Sequence, residues 1–171
     1  MRAFAEVRNS YSDARLDLVG SGPLEAEIRA LVGRLNLQGV TFAGVASRAE
    51  IARYYDQADI FVNASDLDNM PVSILEAFAS GLPVASTEPE GMRYVVEQGK
   101  TGLLSPPGDP HRLAQNILTL LREPALTAQI IANARSRCEG YEWKGVREPW
   151  LHSYRSLRAT TAAAEKVTSV A

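Results

Sequence analysis

Residues 59–86 constrain this chain more than any other stretch. Asp59-Ile60-Phe61-Val62-Asn63 is a short apolar run of strand type, and Pro83-Val84-Ala85-Ser86 is another. Between them lie the polar segment Ser65-Asp66-Leu67-Asp68-Asn69-Met70, then Pro71, then Val72 to Ser80, which reads as a helix. Strand, loop, helix and strand in this order describe a crossover unit. Two strands joined through a helix belong to a parallel sheet, with a right-handed connection. Two carboxylates, Asp68 and Glu76, stand in the unit with seven residues between them, on either side of the expected helix start.

The same alternation runs along the chain. Ala3 to Arg8 reads as the end of a helix with Phe4 and Val7 on one face, and Arg15 to Val19 as a strand closed by Gly20-Ser21-Gly22-Pro23. Leu24, Ile28, Leu31 and Leu35 make an apolar stripe on a helix from 24 to 35. Val40 to Ala43 is the next strand, closed by Gly44, and Ser47 with Glu50 forms a capping-box pattern opening a helix through Tyr55. Gly102 to Leu104 is a short last strand, and Pro110 opens a helix to Leu121. Further helices are expected from Pro124 to about Cys138 and from Trp143 to Leu157, where Pro149 is expected to kink the chain. The expected fold is α/β: a Rossmann-like parallel sheet with helices on both faces. The domain is expected over residues 1–158, and the small, polar segment 159–171 is expected to be disordered.

Composition excludes several classes of function. With 171 residues, 46% hydrophobic and 22% charged, the chain suits one ordinary globular domain. Eighteen basic against 20 acidic residues argue against nucleic acid as a partner. One cysteine and two histidines speak against a zinc site, and no metal or other cofactor is expected. His111 and His152 look isolated, and Cys138 reads as a packing residue. No apolar run approaches the roughly 20 residues of a membrane span, and Met1 to Val7 lacks a signal-peptide core. A cytoplasmic protein is expected.

Pro71 suits the first position of a helix, which makes Met70 the cap. Methionine accepts no hydrogen bond, so the amides of Val72 and Ser73 would be left for an anion such as phosphate. The competing arrangement has Asn69 capping the helix and no ligand. Glu76 shares a stripe with Ser73 and Ser80, while Val72, Leu75, Phe78 and Ala79 are apolar. It lies roughly 7 Å along the axis from Pro71, at 1.5 Å per residue. That is near the span from terminal phosphate to ribose in a nucleoside diphosphate, and a carboxylate there can accept from two sugar hydroxyls. Asp68 either contacts a sugar or the loop that holds it, or serves only the helix dipole, and Glu76 taken alone also reads as a solvated glutamate. Gly20-Ser21-Gly22-Pro23 sits where open α/β sheets bind ligands, but lacks the third glycine of a dinucleotide fingerprint. A tight turn is an equal reading, and Arg93 faces either phosphate or solvent.

Taken together, these segments resemble the C-terminal, donor-binding domain of retaining glycosyltransferases of the GT-B fold, family 4. The likeness runs from Met1 to Leu157. It rests on Arg15 to Pro23, Val40 to Gly44, Asp59 to Ser65, the motif Asp68-Asn69-Met70-Pro71-Val72-Ser73-Ile74-Leu75-Glu76-Ala77, and Gly81-Leu82-Pro83-Val84. It continues through Gly99-Lys100-Thr101-Gly102-Leu103-Leu104 and Pro107-Gly108-Asp109. The resemblance implies that Glu76 holds the donor ribose and that Val72 and Ser73 offer amides to the diphosphate. It places Asp68 near the donor sugar, making Asp68 and Glu76 the candidate catalytic pair. It adds Gly20, Gly22, Asn69, Met70 and Pro71 to the donor site and sets Gly44 and Val45 beside the nucleobase. Asp68 stands where the family usually has glutamate.

The implied substrate is a UDP-, GDP- or ADP-sugar. The implied partner is an acceptor domain, whose cleft with this one holds the chemistry and which this sequence does not contain. The upstream arginine and lysine of the family are likewise not in it. Two functions follow: the donor half of a glycosyltransferase, inactive alone, or a non-catalytic nucleotide-binding subunit that pairs with a separately encoded acceptor domain. A nucleotide-sugar epimerase would need acids and histidines not found here. Apolar residues near Met70, Met92 and the Trp143–Trp150 helix are expected to lie exposed and to favour a homodimer. The full-length enzyme is expected at the inner face of the membrane.

Overall fold

The computed structural model of the chain describes residues 1–168. They form two compact units, the first over residues 1–135 and the second from residue 136 onward. In chain order the first unit holds α1 (Arg2–Ser10), β1 (Leu16–Val19), α2 (Glu25–Arg34), β2 (Val40–Gly44), α3 (Arg48–Gln57), β3 (Phe61–Asn63), α4 (Val72–Ser80), β4 (Val84–Thr87), a 3-10 turn (Met92–Tyr94), β5 (Leu103–Ser105) and α5 (Pro110–Arg122). The helix α6 (Pro124–Glu139) begins in it.

Every strand pairing is parallel, as the crossover pattern requires. The strands form two sheets rather than one: β1 with β2, and β3-β4-β5. No ladder joins β1 to β3 among the described residues. Burial follows that division. Every residue of β4 and β5 is buried, while β1 and β2 have no buried residue. The stripe of α2 behaves likewise: none of its residues is buried, and Leu24 and Leu35 are 58% and 38% exposed. A two-stranded sheet is too narrow to cover a helix face, so the stripe expected to turn inward is only partly covered.

The core lies between the three-stranded sheet and the helices on it. Ala3 and Val7 of α1, Ala85 of β4, Leu103 of β5, Leu113 and Ile117 of α5 and Ile130 of α6 form one cluster. Asn116 is buried among them, and its amide donates to the Leu104 carbonyl at 2.9 Å, so the core holds no unpaired amide there. His111, expected to be isolated, is not: its Nδ1 lies 2.7 Å from Glu6 Oε2 and ties α5 to α1. The Cys138 thiol is pushed up in pKa by burial first and then by Glu142 and Glu139, which fits a packing residue.

Register lines up the strand ends. Asn63 pairs with Ser86, Ser86 with Leu104, and Thr87 with Ser105. The polar residues therefore collect at the carboxyl end of the sheet, where the loop toward α4 departs.

The second unit holds α7 (Trp143–Thr168), which contains Pro149. It carries an exposed aromatic ladder: Trp143 and Trp150 are 6.3 Å apart, and Trp150 and Tyr154 4.7 Å. This helix runs past Leu157, and of the expected disordered tail 159–171, residues 169–171 lie outside the described residues. No helix among the described residues is long and apolar enough to cross a membrane.

Gly102 opens β5 at a point where a methyl group has no room. A Cβ there would sit 2.7 Å from Val96 Cγ1 and 3.0 Å from the Val84 carbonyl oxygen. Gly102→Ala is expected to cost about 1–3 kcal/mol of stability through overpacking, read as a lowered midpoint in urea unfolding.

Candidate donor-binding site

The helix α4 is anchored by Ile74, Ala77 and Phe78, all fully buried at helical spacing. Gly81 ends it in the left-handed region at φ 77°, with its N–H turned back to the carbonyls of Ala77 and Phe78. At the other end the structure corrects the sequence reading. Pro71 is the N-cap, not the first helical residue; its φ of −67° and ψ of 115° are extended. Its carbonyl accepts from the Ile74 amide at 3.1 Å. Proline has no side-chain acceptor, and no side chain caps this helix. Neither Met70 nor Asn69 serves as the cap. The amides of Val72 and Ser73 thus open the helix, where the dipole favours negative charge. Val72 is 65% exposed, so it belongs to this open face and not to the apolar stripe it was expected to join.

Asp68 folds its own loop. One carboxylate oxygen accepts from the Met70 amide at 3.2 Å, and the residue remains half-buried. Beneath the loop runs a chain of hydrogen bonds that the sequence reading passed over. Thr87 Oγ1 donates to the Ser65 carbonyl at 2.6 Å, Ser65 Oγ to Asn63 Oδ1 at 2.9 Å, and Ser86 Oγ to the Thr87 carbonyl at 2.7 Å. Hydroxyls at the end of a fully buried strand were the available signal, because a buried hydroxyl requires a partner.

Gly91 lies close against the same loop. At φ 103°, it would place a Cβ 3.1 Å from both Cα and O of Asn69. The turn after it tucks Met92 completely inside, which corrects its expected exposure; Met70, Trp143 and Trp150 are exposed as expected. Arg93 is engaged by Glu88, whose carboxylate takes both Nε and an NH2 group and raises the guanidinium pKa.

Glu76 projects from α4 into solvent, but its position is not free. The Tyr55 hydroxyl donates to Glu76 Oε2 at 2.9 Å. Tyr55 belongs to α3, which the expected capping box opens: the Ser47 amide donates to Glu50 Oε2 at 2.8 Å and the Glu50 amide to Ser47 Oγ at 3.4 Å. Burial, and then the Glu76 carboxylate, hold the Tyr55 phenol well above its usual pKa, so it remains a donor across the neutral range.

The glycine turns meet each other at the carboxyl ends of β1 and β2. The Gly20 amide donates to the Gly44 carbonyl at 2.7 Å, with both residues at positive φ. Gly22 is exposed in the turn, and its carbonyl accepts from Glu25 at 3.1 Å. Val45 lines an open cavity of about 280 Å3 with Ala46, Glu50, Arg53 and Tyr54. Thus α3 presents Arg53 and Tyr54 to this cavity and Tyr55 to Glu76. The candidate residues form two groups: Asp68 to Ser73 with Glu76 around α4, and Gly20, Gly22, Gly44 and Val45 around the β1–β2 end. No group of three metal-ligating side chains exists among the described residues.

The family described as glycosyl transferases group 1 matches residues 1–123, and the chain belongs to it. The amylovoran biosynthesis glycosyltransferase AmsK of Erwinia amylovora is 35% identical over 129 residues, which are 71% of this chain and 32% of that protein. The chain thus spans about a third of the length of this relative. Sucrose-phosphate synthase from Thermosynechococcus elongatus superposes with a TM-score of 0.80 at 31% identity, over 93% of this chain and 42% of that one. HepE of Anabaena, solved in complex with UDP-glucose, gives 0.77 at 23% identity over 90% and 44%, a likeness of fold. The fold is the α/β architecture of GT-B glycosyltransferases.

Gly91→Ala is expected to push the Asp68–Met70 loop off its seat. The left-handed backbone alone costs about 1–2 kcal/mol for a residue with a Cβ, to be seen as a lower midpoint in thermal unfolding.

Proposed function

We propose that this chain is the donor-binding part of a retaining, family 4 glycosyltransferase of glycan biosynthesis, holding a nucleoside-diphospho-sugar. The observation that carries this reading is the pairing on α4 of an uncapped amino end with a carboxylate one and a half turns later. A diphosphate on the Val72 and Ser73 amides sets its ribose toward Glu76. The base then enters the cavity beside Val45, on the helix that also bears Tyr55. Family membership and the fold shared with a protein solved in complex with UDP-glucose support a nucleotide-sugar as the ligand.

The chemistry asked of these residues is electrostatic. Cleavage of the sugar–phosphate bond builds negative charge on the departing nucleoside diphosphate. Amides already oriented at the helix start stabilise that charge without a proton transfer. Asp68, fixed by its turn to Met70 just before the same helix tip, is assigned to the donor sugar by this reading. The cations that complete the reaction are the arginine and lysine that the family carries upstream of this region, and the acceptor comes from an acceptor domain. The exposed Leu67, Met70 and Val72 belong to the face it covers, and the same face permits a homodimer of the isolated chain.

The isolated chain is expected to bind one of UDP, GDP and ADP best, weakly, and to show negligible sugar transfer. Calorimetric titration with each, repeated on Glu76→Ala, should show a loss of about 1.5–3 kcal/mol in the variant, the worth of a hydrogen bond to a charged group. Transfer at an ordinary enzyme rate by this chain alone, or unchanged affinity in Glu76→Ala, would contradict the proposal.

A further inference from the structure

We propose that Tyr55 is a positioning residue for the donor ribose: its hydroxyl orients the Glu76 carboxylate so that the remaining lone pairs meet two neighbouring sugar hydroxyls. The inference rests on the donor-binding reading of α4.

A phenol has one proton to give, and two acceptors lie within its reach. Glu76 Oε2 is 2.9 Å away and the Ser73 carbonyl 3.4 Å. The shorter bond, to the charged acceptor, is the stronger. Tyr55 itself does not move freely. It is only 8% exposed, and its ring lies 6.0 Å from that of Phe61, at the start of β3. An exposed glutamate would otherwise sample several rotamers and lose that freedom on binding. Anchored to a buried ring, it has lost much of it before the ligand arrives, which is the meaning of preorganisation.

The anchor also sets selectivity. An ionised carboxylate offers about four lone-pair sites on two oxygens. One is occupied by Tyr55 through Oε2, leaving Oε1 and one side of Oε2 for a pair of vicinal hydroxyls. A ribose presents such a pair, and a 2′-deoxyribose presents only one of the two. The Tyr55 contact therefore governs discrimination between the two sugars more than affinity for the phosphates, which meet α4 at its amino end.

The test titrates the 171-residue chain with UDP, GDP and ADP and with their 2′-deoxy counterparts. The wild-type chain should favour the ribose form of its best ligand by about tenfold, in line with one charged hydrogen bond. Tyr55→Phe should weaken the ribose form by about fivefold or more and leave the deoxy form within about twofold, so that the preference collapses. In the Glu76→Ala background, Tyr55→Phe should change nothing further. A merely structural role would weaken both forms together. Tyr55→Met removes the hydroxyl with little change in apolar volume and carries the same expectations if the phenylalanine variant does not fold. A full ribose preference retained without the hydroxyl overturns the role of Tyr55 while the donor site stands. Absence of binding in the wild-type chain, or binding indifferent to Glu76→Ala, overturns both.

Discussion

A helix whose first amides receive no side chain is the constraint around which this molecule is arranged. Pro71 creates it. Its ring fixes φ, its extended ψ breaks the helical path, and it has no acceptor to turn back on Val72 and Ser73. In most helices Ser, Thr, Asp or Asn satisfies one of these donors. Here Asp68 is close enough in sequence to do so, yet spends an oxygen on the Met70 amide and leaves the helix tip open. The cost of an unfilled helix start is acceptable where solvent lies close by, and Val72 at this start is exposed.

The rest of the unit holds that tip still. Buried Ile74, Ala77 and Phe78 fix the rotation of α4. The Thr87 hydroxyl holds the loop through the Ser65 carbonyl, and Gly91 lets the next loop lie close against Asn69. Tyr55 then joins α3 to α4 through Glu76, so that the β2–α3 cavity and the α4 tip share one bridging helix. The proposed phosphate and pentose contacts thereby share α4, and the proposed base cavity lies along α3, the helix tied to α4 by Tyr55.

Local chemistry was readable in the sequence, and long-range geometry was not. The capping box at Ser47 and Glu50, the strand at Val84 and the helix after Asp109 each depend on neighbours within a few residues. The placement of Glu76 along α4 relative to Pro71 was legible because helical rise converts sequence spacing directly into distance. The Tyr55–Glu76 contact joins residues 21 positions apart and left no local mark beyond a polar tip on a helix face. Met92 looked like exposed surface in a loop, and only the 3-10 turn that buries it showed otherwise. The division of the strands into two sheets also lay beyond any local pattern, since strand order is a property of tertiary pairing. The Leu24 to Leu35 stripe was a correct reading of periodicity that met too small a sheet to cover it.

The most direct measurement is a crystal structure of this chain with the nucleoside diphosphate it binds best. The account predicts phosphate oxygens within hydrogen-bond distance of the Val72 and Ser73 amides, and ribose hydroxyls on a Glu76 carboxylate still held by Tyr55. A nucleotide bound away from α4, or an α4 tip filled by one of the protein's own side chains, would contradict it.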